Sequence, residues 1–407
     1  MSCPPLGEFH IGWICALPIE AAAARMMLDK DFGVLGEQDP RDSNVYRLGT
    51  IGKHNVVIAC LPAGQIGPVI AATVVNNMVR TFSTLEFGIM VGIGGGIPSA
   101  DHDIRLGDIV IGCSFDDSRV VVQHDTVKYV AGGELYRTGF FNNPPRPLLA
   151  ATHAMRTAHL AKNPRYTQYM QDATVRDTRT GKTFSRPSAQ TDRLFKVEYG
   201  HSARTAGCEE CPKGWEVSRP ERECNDPRTH YGIIASGSAV IKDGRKRENI
   251  RLKTGALCVE MEAAGMVADF HCLVIRGICD YSDSHKNKQW QGYAALAAAA
   301  YAKDLLGYVP KGNSSKEVHA KVLKKFREPP ISDLREHSIK QNNSIARIRL
   351  KCWLMSGDCV TRLAKYPIMS DRRTSIRIDY QTCSIQITPA GGTDLLLWIS
   401  ASPLAVL

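Results

Sequence analysis

The sequence predicts an α/β protein in which one domain is interrupted by a long polar insertion. Three observations lead there. Short β-rich runs alternate with helix-like stretches from His10 to about residue 160, a basic and turn-rich segment follows over about residues 163–229, and the alternation resumes at Tyr231. In the first part, residues 11–16, 56–61, 88–91 and 108–113 read as strands, while residues 20–28 and 68–80 carry helical spacing. In the last part, residues 232–240, 257–260 and 272–279 read as strands, residues 263–270 as a helix, and the Ala-rich stretch 290–306 as a final helix. One split domain explains this return of rhythm better than two unrelated domains.

Beyond Pro310 the pattern weakens. Residues 316–327 have the spacing of a basic amphipathic helix, but residues 347–407 show neither a clear period nor a run of capping signals. The expected organisation is a domain over residues 8–310 and a basic, weakly structured tail over 311–407.

At 407 residues, 43 % hydrophobic and 23 % charged, the chain is an ordinary globular composition, which excludes wholesale disorder and membrane classes. The net charge is +10, of which +7 lies in residues 313–407. The body is therefore close to neutral, and no nucleic-acid face is expected on it. No apolar run approaches the ~18 residues of a membrane span, and the N-terminus lacks the basic and apolar regions of a signal peptide. Thirteen cysteines, odd in number and mostly set in apolar runs, fit reduced thiols, so a cytoplasmic location without membrane contact is expected.

Several motifs need weighing. Gly181-Lys182-Thr183 has Arg176 where a phosphate-binding loop requires glycine, so it is no nucleotide-triphosphatase signature. Gly92-Ile93-Gly94-Gly95-Gly96 follows a strand, but Pro98 comes too soon for a dinucleotide-type helix. Glycines there would let a small ligand approach the backbone, or would simply make a tight turn. Cys208-x-x-Cys211, with His201 before and Cys224 after, is a weak match to zinc-ligand spacing, and free thiols or a local disulfide are the stronger readings. No metal or other cofactor is assigned.

The most informative cluster is late. Glu260 and Glu262 close one apolar strand, and Arg276-Gly277-Ile278-Cys279-Asp280-Tyr281-Ser282-Asp283 closes another. Open α/β sheets bind ligands at such strand ends, although a single carboxylate could equally cap a helix.

Ile11-Gly12 with Ala16 and Glu20, the Gly64–Gly67 turn, Gly92–Gly96 leading to Gly107-Asp108-Ile109-Val110, Ser236-Gly237, residues 259–263 and residues 276–283 occur in the order seen in the nucleoside phosphorylase/nucleosidase superfamily, the purine and uridine phosphorylase type. The chain resembles that superfamily over about residues 8–310. It is most similar to the domain at the N-terminus of fungal NACHT and ankyrin receptor-like proteins, on the strength of residues 277–293. The resemblance implies a three-layer fold with a central mixed twisted sheet flanked by helices.

It also implies cleavage of the N-glycosidic bond of a purine nucleoside or nucleotide, ATP among the nucleotides. On this reading Asp280 is the general acid toward the base, and Glu262 accepts the ribose hydroxyls. Met261 packs on the sugar, Val240 and Ile241 line the base, and Gly94, Gly95 and Gly96 lie beside the sugar, with Glu260 in the same cluster. Arg137 is a candidate for the 5′ end, and also reads as a surface arginine. Glu20 matches the carboxylate that activates water in nucleosidases. Met90 and Ile93 stand where phosphorylases hold phosphate with Arg and Ser, and an apolar pair cannot bind a dianion. Hydrolysis is thus favoured over phosphorolysis, in which inorganic phosphate would be a second substrate. A nucleoside-sensing module without turnover is the reading from another class. Superfamily members generally self-associate, and residues 69–78 and 294–300 are the apolar stretches that could supply an interface.

Overall fold

The computed structural model describes residues 2–114, 120–129, 135–137, 143–176, 178–201, 208–267 and 270–311, together with the backbone of residues 374–379, 384–389 and 395–398. The chain begins β1 (Ile11–Cys15), α1 (Pro18–Met26), β2 (Lys30–Val34), β3 (Tyr46–Ile51), β4 (His54–Cys60), α2 (Pro68–Thr81), β5 (Phe87–Gly96) and β6 (Ile109–Gly112). Three short strands follow, β7 (Val121–Gln123), β8 (Val127–Tyr129) and β9 (Leu135–Arg137), then α3 (Arg146–Ala161), α4 (Arg165–Val175) and α5 (Thr178–Phe184). The remainder of the body is β10 (Thr229–Gly232), β11 (Ile234–Ser236), α6 (Gly244–Thr254), β12 (Cys258–Glu260), α7 (Ala263–Val267), β13 (Cys272–Asp280) and α8 (Gln291–Tyr308).

One mixed sheet organises this body in the order β10-β6-β13-β5-β1-β4-β3-β2, with β7, β11 and β12 joined beside β5. β1 is parallel to both β4 and β5, and β5 is parallel to β13, while β6 runs antiparallel to β13 but parallel to β10, and β12 antiparallel to β5 but parallel to β11. Strands buried on both faces need continuous apolar runs rather than alternation. β1 and β13 meet that requirement, with every residue buried.

Helix α8 lies against this centre. It is apolar all round, with Ala294 to Ala300 at most 1 % exposed, which marks a helix inside the core rather than on its surface. A Cβ at Gly277 of β13 would collide with the Ala294 carbonyl, so the close strand–helix packing requires glycine at that position. Residues 294–300 therefore cannot supply an interface between subunits. α2 is different: Val69 is 77 % and Val79 39 % exposed.

Three strand ends differ from the sequence expectation: the run read over residues 232–240 divides between β10 and β11 and ends at Ser236, and the other two are in β5 and beyond β12. β5 does not stop at Val91 but runs to Gly96, so the glycines belong to the strand and not to a turn after it. Glycine tolerates extended backbone like any residue, and here the small side is used for packing. β12 ends at Glu260, so Glu262 sits at the entrance of α7 and not on the strand.

The insertion holds more regular structure than its polarity suggested. Tyr166, Met170 and Ala173 form a buried stripe on α4 at helical spacing. Buried Asp304 of α8 accepts from the Tyr166 amide at 3.2 Å and pairs with His159 Nε2 at 3.1 Å. Further on, Arg222 forks onto Asp108 at 2.7 and 2.8 Å, and His230 reaches the same carboxylate at 2.9 Å. Asp108, from the Gly107-Asp108 motif, is thus an anchor that fastens the insertion to β6. In the tail, β14 (Thr374–Asp379), β15 (Ser384–Pro389) and β16 (Leu395–Trp398) form an antiparallel three-stranded sheet, an element that the absence of a clear sequence period did not suggest.

Candidate active site

The C-terminal ends of β1, β5 and β13 lie side by side, and β12 runs back antiparallel along β5 with Val259 opposite Gly95. A cavity of about 190 Å³ opens at this edge, walled by Glu20, Ile93, Gly94, Gly95, Val240, Ile241, Glu260, Met261 and Glu262 from the sequence set. Ile66 of the Gly64–Gly67 turn, Ser282 of the 276–283 run and Lys286 also line it, none of them a candidate site residue from sequence. A larger cavity of about 580 Å³ is lined partly by the insertion, but three of its arginines are committed to carboxylates, Arg222 to Asp108, Arg219 to Asp192 and Arg105 to Asp103. The smaller cavity is the one with convergent chemistry.

One end of it is built on Arg276, which is 1 % exposed in the middle of β13. Its Nη2 pairs with Glu260 Oε2, lies 3.5 Å from Glu262 Oε2 and 3.1 Å from the Met90 sulfur. Glu20 shares the space: a Cβ at Gly92 would stand 2.5 Å from both Arg276 Nη1 and Glu20 Oε1. Gly92 is therefore the position where a missing side chain makes room for both Glu20 and Arg276. Arg276 was not chosen from sequence, although a lone arginine inside the apolar run Cys272–Asp280 needs a buried counter-charge to be tolerated.

Each carboxylate has its own setting. Glu20 Oε2 accepts the amides of Ala16 at 2.7 Å and Leu17 at 2.9 Å, closing the start of α1, while Oε1 accepts the Ile93 amide at 2.8 Å. Burial pushes its pKa up, opposed by Arg276 and by these three amides. An ionised carboxylate offers about four lone-pair directions, so the three amides leave one unfilled. Glu260 accepts from the amides of Glu262 at 3.1 Å and Ala263 at 2.9 Å, so it caps α7 while pairing with Arg276. Glu260 therefore caps α7 and at the same time lines the cavity. Glu262 is pushed up to about 7, chiefly by burial; Arg276 opposes this, and Glu260 and Glu20 add to it.

Asp280 is held differently. Its Oδ1 accepts the Ser282 amide at 2.9 Å, and its Oδ2 pairs with Lys286 Nζ at 2.8 Å. Burial would lower the Lys286 pKa, but the Asp280 carboxylate reverses this and raises it. Lys286 and Ser282 line the 190 Å³ cavity, whereas Asp280 borders a separate void of about 30 Å³. A Cβ at Gly95 would run into Ser282 and Asp280, so Gly95 lets this loop close over the strand end. Ser282 adopts φ 51°, unusual for a residue with a side chain.

Val240 is 46 % exposed and Ile241 4 %, so the two make an outer and an inner part of one wall. Gly96 is set back from the cavity, where a Cβ would press on Ile278 at 2.8 Å. Ile93 lines the cavity and Met90 lies beneath it against Arg276. Arg137 belongs to the hairpin strand β9, and its side chain lies outside the described residues.

The family profile described as the phosphorylase superfamily matches residues 10–306. The chain belongs to the phosphorylase superfamily. Among its relatives, a nucleotide-binding leucine-rich repeat (NLR)-like protein of the fungus Hyaloscypha variabilis is 48 % identical over 300 residues, covering 74 % of this chain and 29 % of that protein. An ATP nucleosidase of Escherichia coli is 24 % identical over 307 residues, covering 72 % of this chain and 50 % of that protein. The chain thus spans half or less of the length of these curated relatives. Among solved structures, futalosine hydrolase of Helicobacter pylori aligns with a TM-score of 0.46 at 18 % identity, over 74 % of this chain and 98 % of that one.

Proposed function

We propose that this phosphorylase-superfamily domain hydrolyses the N-glycosidic bond of purine nucleosides or nucleotides. The observation that carries the reading is the Glu20, Glu260 and Glu262 cluster around the single buried Arg276, with Met90 and Ile93 in place of a phosphate pair. An incoming phosphate dianion would meet carboxylates and apolar side chains there, and burying a charge without partners is costly. Water meets no such penalty.

In the reaction the bond between ribose C1′ and the purine nitrogen breaks, with the electron pair leaving on the base. Glu262 accepts hydrogen bonds from the ribose hydroxyls, and the negative charge at this end favours the cationic sugar. A water on the free face of the Glu20 carboxylate adds to C1′ and gives its proton to Glu20. The Asp280–Lys286 pair serves the base: the Lys286 ammonium at the cavity wall gives a proton to the departing base and is reprotonated from solvent, Asp280 holds the ammonium in place, and the proton taken up by Glu20 returns to solvent. Met261, Val240 and Ile241 supply the apolar walls for sugar and base.

Similarity to the ATP nucleosidase supports nucleotides as well as nucleosides as substrates. The described cysteines are free thiols, which supports a cytoplasmic setting. The exposed Val69 face of α2 supports self-association as in other superfamily members.

The deciding experiment incubates the protein with adenosine, inosine, guanosine or ATP, with and without inorganic phosphate, and identifies base and sugar by chromatography. Free base with ribose, or with the ribose phosphate of the substrate, is expected without added phosphate. Strict phosphate dependence with ribose 1-phosphate as product would make it a phosphorylase, and no base from any substrate would leave a binding module.

A further inference from the structure

Away from the cavity, the insertion brings three metal-binding side chains together. One ligand atom each from His201, Cys208 and Cys211 lies within 4.8 Å of the others. Cys224, which the sequence grouped with them, is exposed and stands outside this set. The Cys208–Cys211 turn is firmly built: the Cys211 amide donates to the Cys208 carbonyl at 3.1 Å, and the Arg193 guanidinium donates to the carbonyls of both cysteines, at 2.6 Å for Cys211. A backbone clamped from outside leaves both thiols to face the same point.

A second observation points to a ligand. His285 is only 8 % exposed, yet neither ring nitrogen has a hydrogen-bond partner. Buried ring nitrogens are rarely left so, since each costs about 1–3 kcal/mol of desolvation. The ring is fixed by stacking on Phe195 at 4.0 Å and Tyr199 at 5.3 Å, and it meets His201 edge-on at 5.3 Å. Its carbonyl accepts from Cys208 Sγ at 3.8 Å, so the residue adjoins the thiols. Asp283 Oδ1, 3.6 Å from Nδ1, can fix the tautomer as the outer partner of a metal-bound histidine does.

We propose that His201, Cys208 and Cys211 bind one zinc ion, with His285 as the fourth ligand. Two thiolates and two imidazoles make a tetrahedral donor set suited to zinc, and a set closed by four protein ligands is a structural site. Zinc–ligand bonds of about 2.0–2.3 Å would draw the donor atoms of His201, Cys208 and Cys211 from within 4.8 Å to about 3.5–3.8 Å of one another, a closure of about an ångström, while the His285 ring, outside that set, would have to move in on the ion. The ion would fasten the insertion to the loop that follows β13, which His201 already touches through a 2.8 Å bond from its amide to Ser284 Oγ. That loop carries Lys286, so the metal would support the Asp280–Lys286 pair from behind. Cys208, His285 and Asp280 border the same 30 Å³ void.

The test uses the full chain, with metal content measured by mass spectrometry after purification in zinc-containing buffer and gel filtration. About one zinc per chain is expected, retained by Cys224→Ser and lost from the Cys208→Ser/Cys211→Ser double variant. Should that variant fail to fold, cobalt is loaded into the metal-stripped wild type. A tetrahedral visible spectrum with thiolate-to-cobalt charge transfer supports the site, and an octahedral spectrum without it overturns it. His285→Ala should weaken zinc affinity by more than the roughly 10- to 100-fold that loss of an outer-shell partner costs, in a chelator competition, and unchanged affinity would overturn its place as fourth ligand. A zinc-free wild type whose mass shows a Cys208–Cys211 disulfide would overturn the whole proposal.

Discussion

The two ends of the cavity solve opposite electrostatic problems. At one, three carboxylates, Glu20, Glu260 and Glu262, share a single guanidinium, and burial answers the surplus by raising the pKa of Glu20 and Glu262. At the other, Asp280 and Lys286 form a one-to-one pair at 2.8 Å. The first end holds negative charge in reserve, which suits a cationic sugar and repels phosphate. The second holds a proton on Lys286 against the Asp280 carboxylate, from where it can be given to a departing base. A single site therefore stabilises both halves of a breaking bond by keeping surplus charge at one end and balance at the other.

Removing Arg276 should break this contrast most severely. Arg276→Met keeps much of the side-chain volume but strands three buried carboxylates, and losing one partner of a buried ion pair costs about 3–5 kcal/mol. A large drop in thermal midpoint at pH 8 is expected, with partial recovery near pH 5.5, where protonated carboxyls no longer need the cation. Calorimetry at the two pH values checks this. Equal destabilisation at both would mean that Arg276 acts by packing alone.

Asp280→Asn should leave stability nearly unchanged and lower turnover about 10²- to 10⁴-fold, the range for a lost general acid or its partner. Lys286→Met should fall in the same range. Because the two residues act as a unit, the double variant should be little worse than either single one. Multiplying losses in steady-state assays would separate the residues and dissolve the pair.

Glu262 sharpens the comparison through pH. Its folded pKa of about 7 lies above the value near 4.5 of an unfolded glutamate, so the folded state binds the extra proton between those limits. Its contribution to stability is therefore present at low pH and lost as pH rises through about 7. Turnover should run the other way, rising as the carboxylate forms. Glu262→Gln should flatten the stability profile, by about 2–3 kcal/mol across that window, and should weaken both substrate binding and turnover. Denaturant midpoints from pH 5 to 8 would show an unchanged slope if another group were responsible.

Much of this site was legible in the sequence because it sits at strand ends with unusual residues. Glu260 and Glu262 could be found as carboxylates closing an apolar run and Glu20 through the family resemblance, and the structure brings all three to one cavity. Arg276 and Lys286 were harder. Arg276 is hidden inside a strand, and its meaning depends on which carboxylates the sheet order places beside it. Lys286 lies six residues beyond Asp280 in a loop, where no period fixes its direction. The glycines of β5 were seen as ligand space, yet Gly92 and Gly95 make room mainly for protein groups, a distinction that only neighbouring strands can supply. In the insertion, the apolar stripe of α4 is too sparse to stand out among its charges, and the His201–Cys211 cluster depends on a fold that spacing does not specify.

The smallest expected effect concerns phosphate. Ile93→Ser restores one hydroxyl of the pair with which phosphorylases hold the anion, while leaving the Ile93 amide bond to Glu20 untouched. A single neutral hydrogen bond contributes about 0.5–1.5 kcal/mol, and the carboxylates around Arg276 still oppose a dianion. Adding phosphate should therefore change kcat/KM of this variant by less than about tenfold, with free sugar still the product. If the variant instead depended on phosphate and released ribose 1-phosphate, one side chain rather than the charge of the glutamate end would select the nucleophile. The contrast between the two ends would then lose its chemical meaning, because the surplus carboxylates would serve only to bury Arg276.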